Sequence, residues 1–448
     1  MASLSEHPTV KGFYERAGPD ESGHAVDVLD SHWLRTLCLE AGADDAGFVE
    51  IDRPELADQR RDILGFFPQT KTLVGFVCRM NREPIRSVAR SVSNVEFHQT
   101  GELVNEIAHK IVSALQERRV RAINPAMGFP MEMDRFPGGK TWVVSHKPVA
   151  VAAGLGHMGI HRNVIHPKFG NYILLGTVLL AAEVTEYQRP IDFNPCLECK
   201  LCVSVCPVGA IGSDGAFNFS ACFTHNYREF MGGFTDWVET IVESESVSDY
   251  RSKVAPSESA SMWQSLSFGA NYKSAYCMAV CPAGEDVIAP FLTNRKEYLD
   301  DVVRPLQQKV ETVYVTPNSD AEQHVARRFP NKRAKRVGSG LRSVSIRGFL
   351  SGLRLVFQRD KSKGLGATYH FTFTGAEQVK ATVVIRDQSL VVSEGHVGEP
   401  DLHVTADSDT WLGFLSKERN LAWALLRRKI RIKGSPRLLL AFGRCFSS

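Results

Sequence analysis

The chain has 448 residues, with 53 Lys and Arg against 50 Asp and Glu, so a net charge of +3 excludes a composition dominated by one sign and names no partner by itself. Hydrophobic residues at 43% and charged residues at 23% exclude a disordered or fibrous chain and fit two or three globular domains. The first residues lack the basic start and apolar core of a secretory signal, and the longest apolar stretch, Tyr172 to Val184, is too short to span about 30 Å of hydrocarbon; no transmembrane segment and a cytoplasmic location are expected.

In chain order, residues 31–41 predict a short helix and Ala46-Gly-Phe-Val-Glu-Ile51 a strand. Thr72 to Cys78 reads as a second strand. Gly101 to Arg118 carries the i, i+4 apolar spacing of an amphipathic helix in Val104, Ile107, Ala108, Ile111 and Leu115. Alternating elements predict an α/β first domain over residues 1–189. A Gly/Pro/Met-rich loop, Asn124 to Lys140, precedes a glycine-marked segment and an apolar strand from Tyr172.

Ten cysteines in a reducing compartment do not suggest a disulfide framework, and seven of them fall between residues 196 and 281. That crowding points to metal. Cys38, Cys78 and Cys445 stand alone in apolar surroundings and read as inert thiols. Cys196-x2-Cys199-x2-Cys202-x3-Cys206-Pro207 has the spacing with which bacterial ferredoxins wrap the chain around one [4Fe–4S] cube, the fourth cysteine serving another cluster. Structural zinc sites instead pair two Cys-x2-Cys turns across a longer spacer. Cys277-x3-Cys281-Pro282 reads as the closing half of a second run, with Cys281 returning to the first cluster and Cys206, Cys222 and Cys277 forming the second. Ser274 stands where a further cysteine is expected. The second site of this ferredoxin-like segment, residues 190–292, is therefore expected to hold a [4Fe–4S] cluster with Ser274 or another non-cysteine ligand or a [3Fe–4S] cluster, or to stand unoccupied.

Gly154-Leu-Gly-His-Met-Gly159 contains Gly-x-Gly-x-x-Gly, but Pro167 and Gly170 interrupt the helix that a dinucleotide fingerprint must open, so nicotinamide binding is rejected. The glycines serve either a tight turn against a strand or a backbone brought close to a large flat cofactor. From Gly154 through Ile165, then Gly170 to Gly176 and the cysteine run, the chain resembles the cobalamin-dependent epoxyqueuosine reductases and reductive dehalogenases. The likeness reaches back through Pro68 to Val74 and the helix near Phe97-His98, over roughly residues 30–292. It implies a corrinoid-binding-like α/β domain with base-off cobalamin beside two clusters, Gly154, Gly156, Gly159, His161, Asn163 and Gly170 as cofactor-binding residues, and a small electron-donor protein of ferredoxin or flavodoxin type as partner. Three positions depart from that family: Ile160 replaces a lysine, Ser145 an acid and Phe97 a tyrosine. With the acid gone, His146 and Lys147 beside Ser145 become the candidate catalytic proton donors.

Arg327-Arg-Phe-Pro-Asn-Lys-Arg-Ala-Lys-Arg336 is a basic run, read as part of a basic linker over residues 293–339 because it lacks interleaved aromatics to stack bases. From Thr368, four alternating strands (369–373, 381–385, 389–392 and 402–405) and then two helical stretches predict a separate α+β domain. Residues 340–448 resemble the sterol-carrier-protein-2 fold, in which Leu415, Trp423, Leu426, Leu438, Leu439 and Leu440, with Phe414, Leu421 and Leu425, would line an apolar tunnel. Together these features predict an iron–sulfur, cobalamin-dependent oxidoreductase acting on a hydrophobic small molecule or lipid, and argue against a tRNA substrate. The competing expectation is a redox or lipid-binding adaptor that kept the scaffold without the chemistry.

Overall fold

A computed structural model describes residues 4–16, 26–132, 142–416 and 418–446. The end of the expected Gly/Pro/Met-rich loop, residues 133–140, lies outside the described residues, as do the side chains of Leu421 and Leu425.

The first part is built on four antiparallel strands in the order Asp45–Glu50, Thr72–Arg79, Ile173–Leu180, Ala122–Ile123. Thr72–Arg79 is buried along nearly its whole length, the mark of a strand covered on both faces. Its alternate residues divide accordingly. Val74, Phe76 and Cys78 meet Val104, Ile107, Ile111 and Leu115 of the helix Arg90–Glu117, whereas Leu73 and Val77 meet Val149, Ala150 and Leu155 on the other side. That helix begins at Arg90 rather than Gly101. Its first turns bury polar residues instead of apolar ones: Asn94 exchanges hydrogen bonds with the backbone of Tyr272, and Glu96 accepts from Asn81. An apolar-period pattern cannot register them.

The sheet abuts the cysteine segment closely. Tyr172 donates to the Ala279 carbonyl at 2.6 Å, and the amides of Glu285 and Asp286 donate to the carbonyls of Pro167 and Lys168. Gly170, at φ +66°, lets the two backbones touch: a Cβ there would overlap the Ala283 carbonyl.

Residues 293–339, expected as a linker, fold. The strands Thr312–Val315 and Arg333–Arg336 pair in parallel, joined by the helix Asp320–Arg328. The reason lies inside the basic run. The Lys332 ammonium is fully buried and donates to the carbonyls of Leu306 and Lys309 at 2.9 Å and to Glu311 at 2.8 Å, so one cation of the run is an interior tie rather than a solvated charge.

The last part is a five-stranded sheet in the order Ser389–Glu394, Lys380–Arg386, Ala367–Thr374, Leu402–Asp407, Ile430–Gly434, antiparallel except for the central parallel pair. Phe349 of the helix Ile346–Val356, with Phe371, Phe373, Trp411 and Phe442, fills its core. Of the residues expected to line a tunnel, Leu415, Trp423, Leu426 and Leu440 are exposed, while Leu438 and Leu439 pack partly against this core. Gln358 ties the sheet to the cysteine segment by donating to Ser220 and accepting from the Asp320 amide. No helix of the described residues is long and apolar enough to cross a membrane.

Candidate functional site

The seven clustered cysteines are free thiols and fall into two groups. Cys196, Cys199, Cys202 and Cys281 line one pocket together with Ile160 and His161. The Cys202 thiol, raised by burial first, is raised further by its thiol neighbours Cys277, Cys281, Cys199 and Cys196. Cys206, Cys222 and Cys277 form the other group: burial pushes Cys222 up, followed by Cys206 and Cys277, and burial pushes Cys277 up to about 12, followed by Cys206.

Local backbone explains how so short a segment gathers so much sulfur. Glu198 and Lys200, flanking Cys199, and Ala275, just before Tyr276 and Cys277, all adopt positive φ near 50–60°, a conformation that costs a non-glycine residue about 1–3 kcal/mol. Such turns aim amide N–H groups inward. The Ala210 amide donates to Cys206 Sγ at 3.2 Å, and amides at Leu201 and Ala283 act on Cys199 and Cys281, each favouring the anionic sulfur against the burial that opposes it. The donor set therefore fits sulfur held as thiolate. No group of three His, Cys, Asp or Glu among the described residues is arranged to hold a metal ion directly; the first four thiols stand around a cavity instead, as cluster ligands do.

Ser274 is buried, and both its amide and its hydroxyl donate to Asn226 Oδ1, at 3.0 and 3.2 Å. Lys147 lies beside the second group. It is exposed by surface area, yet surrounding protein lowers its pKa while the Cys277 and Cys222 thiols oppose that shift; a residue on a cleft wall has both properties. Nζ donates to the Arg162 carbonyl at 2.7 Å and to Asn163 Oδ1 at 2.9 Å, its two partners among the described residues. His146 differs. Its Nδ1 bonds Thr177 Oγ1 at 2.8 Å and its Nε2 the Ala126 carbonyl at 3.1 Å, so both ring nitrogens are committed to the fold.

The glycine-marked segment turns into a small hairpin, His157–Met158 with Val164–Ile165, and not into a helix. A Cβ at Gly154 would meet the Arg189 carbonyl, one at Gly156 the Ile165 carbonyl, and one at Gly159 the His161 ring. The chain itself occupies the space these glycines leave. They thus give no cradle for a corrinoid, and Gly170 is likewise explained by Ala283. His161 is buried, accepts from the Asn163 amide and bonds Asn171 at 3.2 Å, and burial lowers its pKa to about 4.

Sequence reasoning missed an aromatic wall at the second group. Tyr227 stacks near Tyr272 at 5.7 Å and Phe230 at 4.9 Å, and Tyr272 lies 5.0 Å from Phe97. Burial raises the Tyr227 hydroxyl, followed by Tyr272, Cys222 and Cys277. The available signal was spacing: Tyr227 follows Cys222 by as many residues as Tyr272 precedes Cys277.

The 4Fe-4S binding domain matches residues 189–212, and the SCP-2 sterol transfer family matches residues 354–447. Residues 189–212 are thus a ferredoxin-type 4Fe-4S segment, and residues 354–447 an SCP-2 domain on the same chain. Among curated proteins it is 22% identical to an epoxyqueuosine reductase of Cellulophaga algicola over 47% of this chain and 74% of the relative. It is 37% identical to one of Prochlorococcus marinus over 44% and 59%, and 36% identical to one of Staphylococcus aureus over 19% and 22%. The chain spans three quarters of the Cellulophaga relative but under two thirds of the other two. Among solved structures it is similar to an epoxyqueuosine reductase with an epoxyqueuosine-modified tRNA stem loop (TM-score 0.32, 18% identity, 43% of this chain, 56% of that one). Another is a catabolic reductive dehalogenase with 3-bromo-4-hydroxybenzoic acid (TM-score 0.36, 14% identity, 66% and 37%). The expectation on partners is corrected here: the curated relatives are epoxyqueuosine reductases, which overturns the argument against tRNA and for an apolar ligand.

Proposed function

We propose that this chain is an iron–sulfur oxidoreductase with two unlike clusters, whose substrate is a modified nucleoside carried in a tRNA stem loop. Cys196, Cys199, Cys202 and Cys281 hold the first, and Cys206, Cys222 and Cys277 the second. The partition of seven thiols into a group of four and a group of three carries this reading. Bound clusters supply single-electron transfer at potentials down to about −700 mV. Engagement of Ser274 by Asn226 supports three protein ligands at the second site rather than a serine fourth.

The chain's own residues define what happens beside it. Lys147 places a cation next to Cys222 and Cys277 and among the described residues has one donor beyond its two partners, so it takes the proton-donating role over His146, which orients the start of its helix. Tyr227, Tyr272 and Phe97 pack against one another as an apolar wall beside the second group. Base-off cobalamin enters this proposal only through the family likeness. The glycines offer it no cradle.

The test is anaerobic reconstitution followed by iron and sulfide analysis, EPR, and reaction of the reduced protein with an epoxyqueuosine-bearing tRNA stem loop, read by nucleoside mass spectrometry. About seven irons per chain, two distinct EPR signals and a reduced nucleoside are expected. Intact clusters without any change in the nucleoside would refute the substrate and leave the redox adaptor; about four irons would refute the second cluster.

A further inference from the structure

A groove gathers the end of the basic run, Arg333–Arg336. It lies between the helix Val247–Lys253, the start of the helix Pro256–Phe268, and the strand Arg333–Arg336. Arg251, Lys253, Arg333, Lys335 and Arg336 line it, against two carboxylates, Glu258 and Glu322. Both carboxylates are already neutralised: Lys335 pairs with Glu258, and Arg336 with Glu322 at 2.6 Å. Lys253 pairs with Asp249 at 2.8 Å on its own exposed helix. Among the described residues, neither Arg251 nor Arg333 has a carboxylate within ion-pair distance, and both are exposed. A basic edge strand by itself only guards against strand addition. Convergence of two further cations from a separate helix onto that strand is not needed for such protection.

The geometry points to this groove as a seat for the phosphodiester backbone of a double-helical RNA stem. Guanidinium groups pair with phosphate oxygens bidentately, and the groove offers two that hold no carboxylate among the described residues, Arg251 and Arg333. An acidic protein partner fits less well, because protein interfaces bury an apolar core and the only apolar side chains lining this groove are the methyls of Ala255 and Ala334. Single-stranded RNA needs aromatic platforms, and the lining has none. A stem read through its backbone needs neither. This inference rests on the reading that the substrate is carried on tRNA, and it assigns the carrier a second contact away from the reacting base.

The experiment uses the full reconstituted chain and a short unmodified RNA hairpin, with binding followed by fluorescence anisotropy between 50 and 200 mM salt. Two unpaired cations imply about two neutralised phosphates, a log–log salt slope near −1.8 and about a 12-fold loss of affinity across that range. In the double variant Arg251→Glu with Arg333→Glu, the slope should fall to about zero and affinity at 50 mM salt by at least tenfold, with cluster absorbance unchanged. Equal RNA binding by the variant would overturn the groove while leaving the tRNA reading intact. Absence of RNA binding by the wild type at 50 mM salt would overturn both. Polyglutamate bound as tightly as RNA, with the same sensitivity to the variant, would replace RNA by an acidic protein.

Discussion

Replacing Gly170 by alanine tests whether the first thiol group depends on a backbone contact rather than on the cysteines alone. At φ +66° an alanine costs roughly 1–2 kcal/mol. Its Cβ would also sit inside the Ala283 carbonyl, two residues beyond Cys281, and forcing the segments apart costs about 1–3 kcal/mol more. A total of about 2–5 kcal/mol falls on the loop that holds Cys281 opposite Cys196, Cys199 and Cys202. Gly65→Ala is the control: this glycine lies in the helix Ala57–Phe66 with nothing within 4 Å of a new Cβ, so alanine should stabilise by up to about 1 kcal/mol. The assay is urea unfolding of the full chain, combined with iron content and visible absorbance after anaerobic reconstitution. Gly170→Ala should lower the midpoint and lose the first centre's signal selectively, whereas Gly65→Ala should raise the midpoint slightly and keep both signals. A Gly170→Ala protein with wild-type midpoint and iron content would refute the reasoning.

Two further substitutions address charge in the interior. Lys332→Met removes a fully buried ammonium and leaves Glu311 with Lys309 and Tyr276 as remaining partners; about 3 kcal/mol of stability should be lost, and a denaturation midpoint within experimental error of wild type would contradict the buried tie. His225 has its pKa lowered to about 4 by burial first, against the opposing pull of Glu311 and with the further push of Lys273, Lys332 and Lys309. Because the folded value lies below the unfolded one near 6.5, the neutral ring favours the fold above about pH 6.5, and that contribution, about 3 kcal/mol, is lost as pH falls toward 4. Thermal melts of wild type and His225→Gln between pH 7 and 4 should converge in acid; parallel pH profiles would exclude His225 as the titrating group.

The strands and helices of the first part were legible because their buried faces are apolar with a clear period, as Val104, Ile107, Ile111 and Leu115 show. The same rule hid the first three turns of that helix, where Asn94 and Glu96 bury amide and carboxylate groups against specific partners. The cysteine spacing announced iron and sulfur because ligand geometry is written locally. Which thiol joins which group was legible only from an assumed repeat, and the site's other features are not local at all. Tyr227 and Tyr272 come together across more than forty residues, and the basic groove forms from segments about eighty residues apart. Lys332 misled for a related reason: a charge within a basic run reads as solvated until the carbonyls that enclose it are known.

Cys281 standing with Cys196, Cys199 and Cys202 has a consequence for the order of events during synthesis. A cofactor bonded to all four would act as a covalent staple closing a loop of about 80 residues, and by the chain-entropy model such a closure removes about 4–5 kcal/mol of freedom from the unfolded chain. That staple cannot close until the ribosome has released residue 281 and several dozen residues more to clear the exit tunnel. The antiparallel sheet ahead of it must therefore stand, for much of translation, without the crosslink that will later fasten its Gly170 loop to the rest of the molecule.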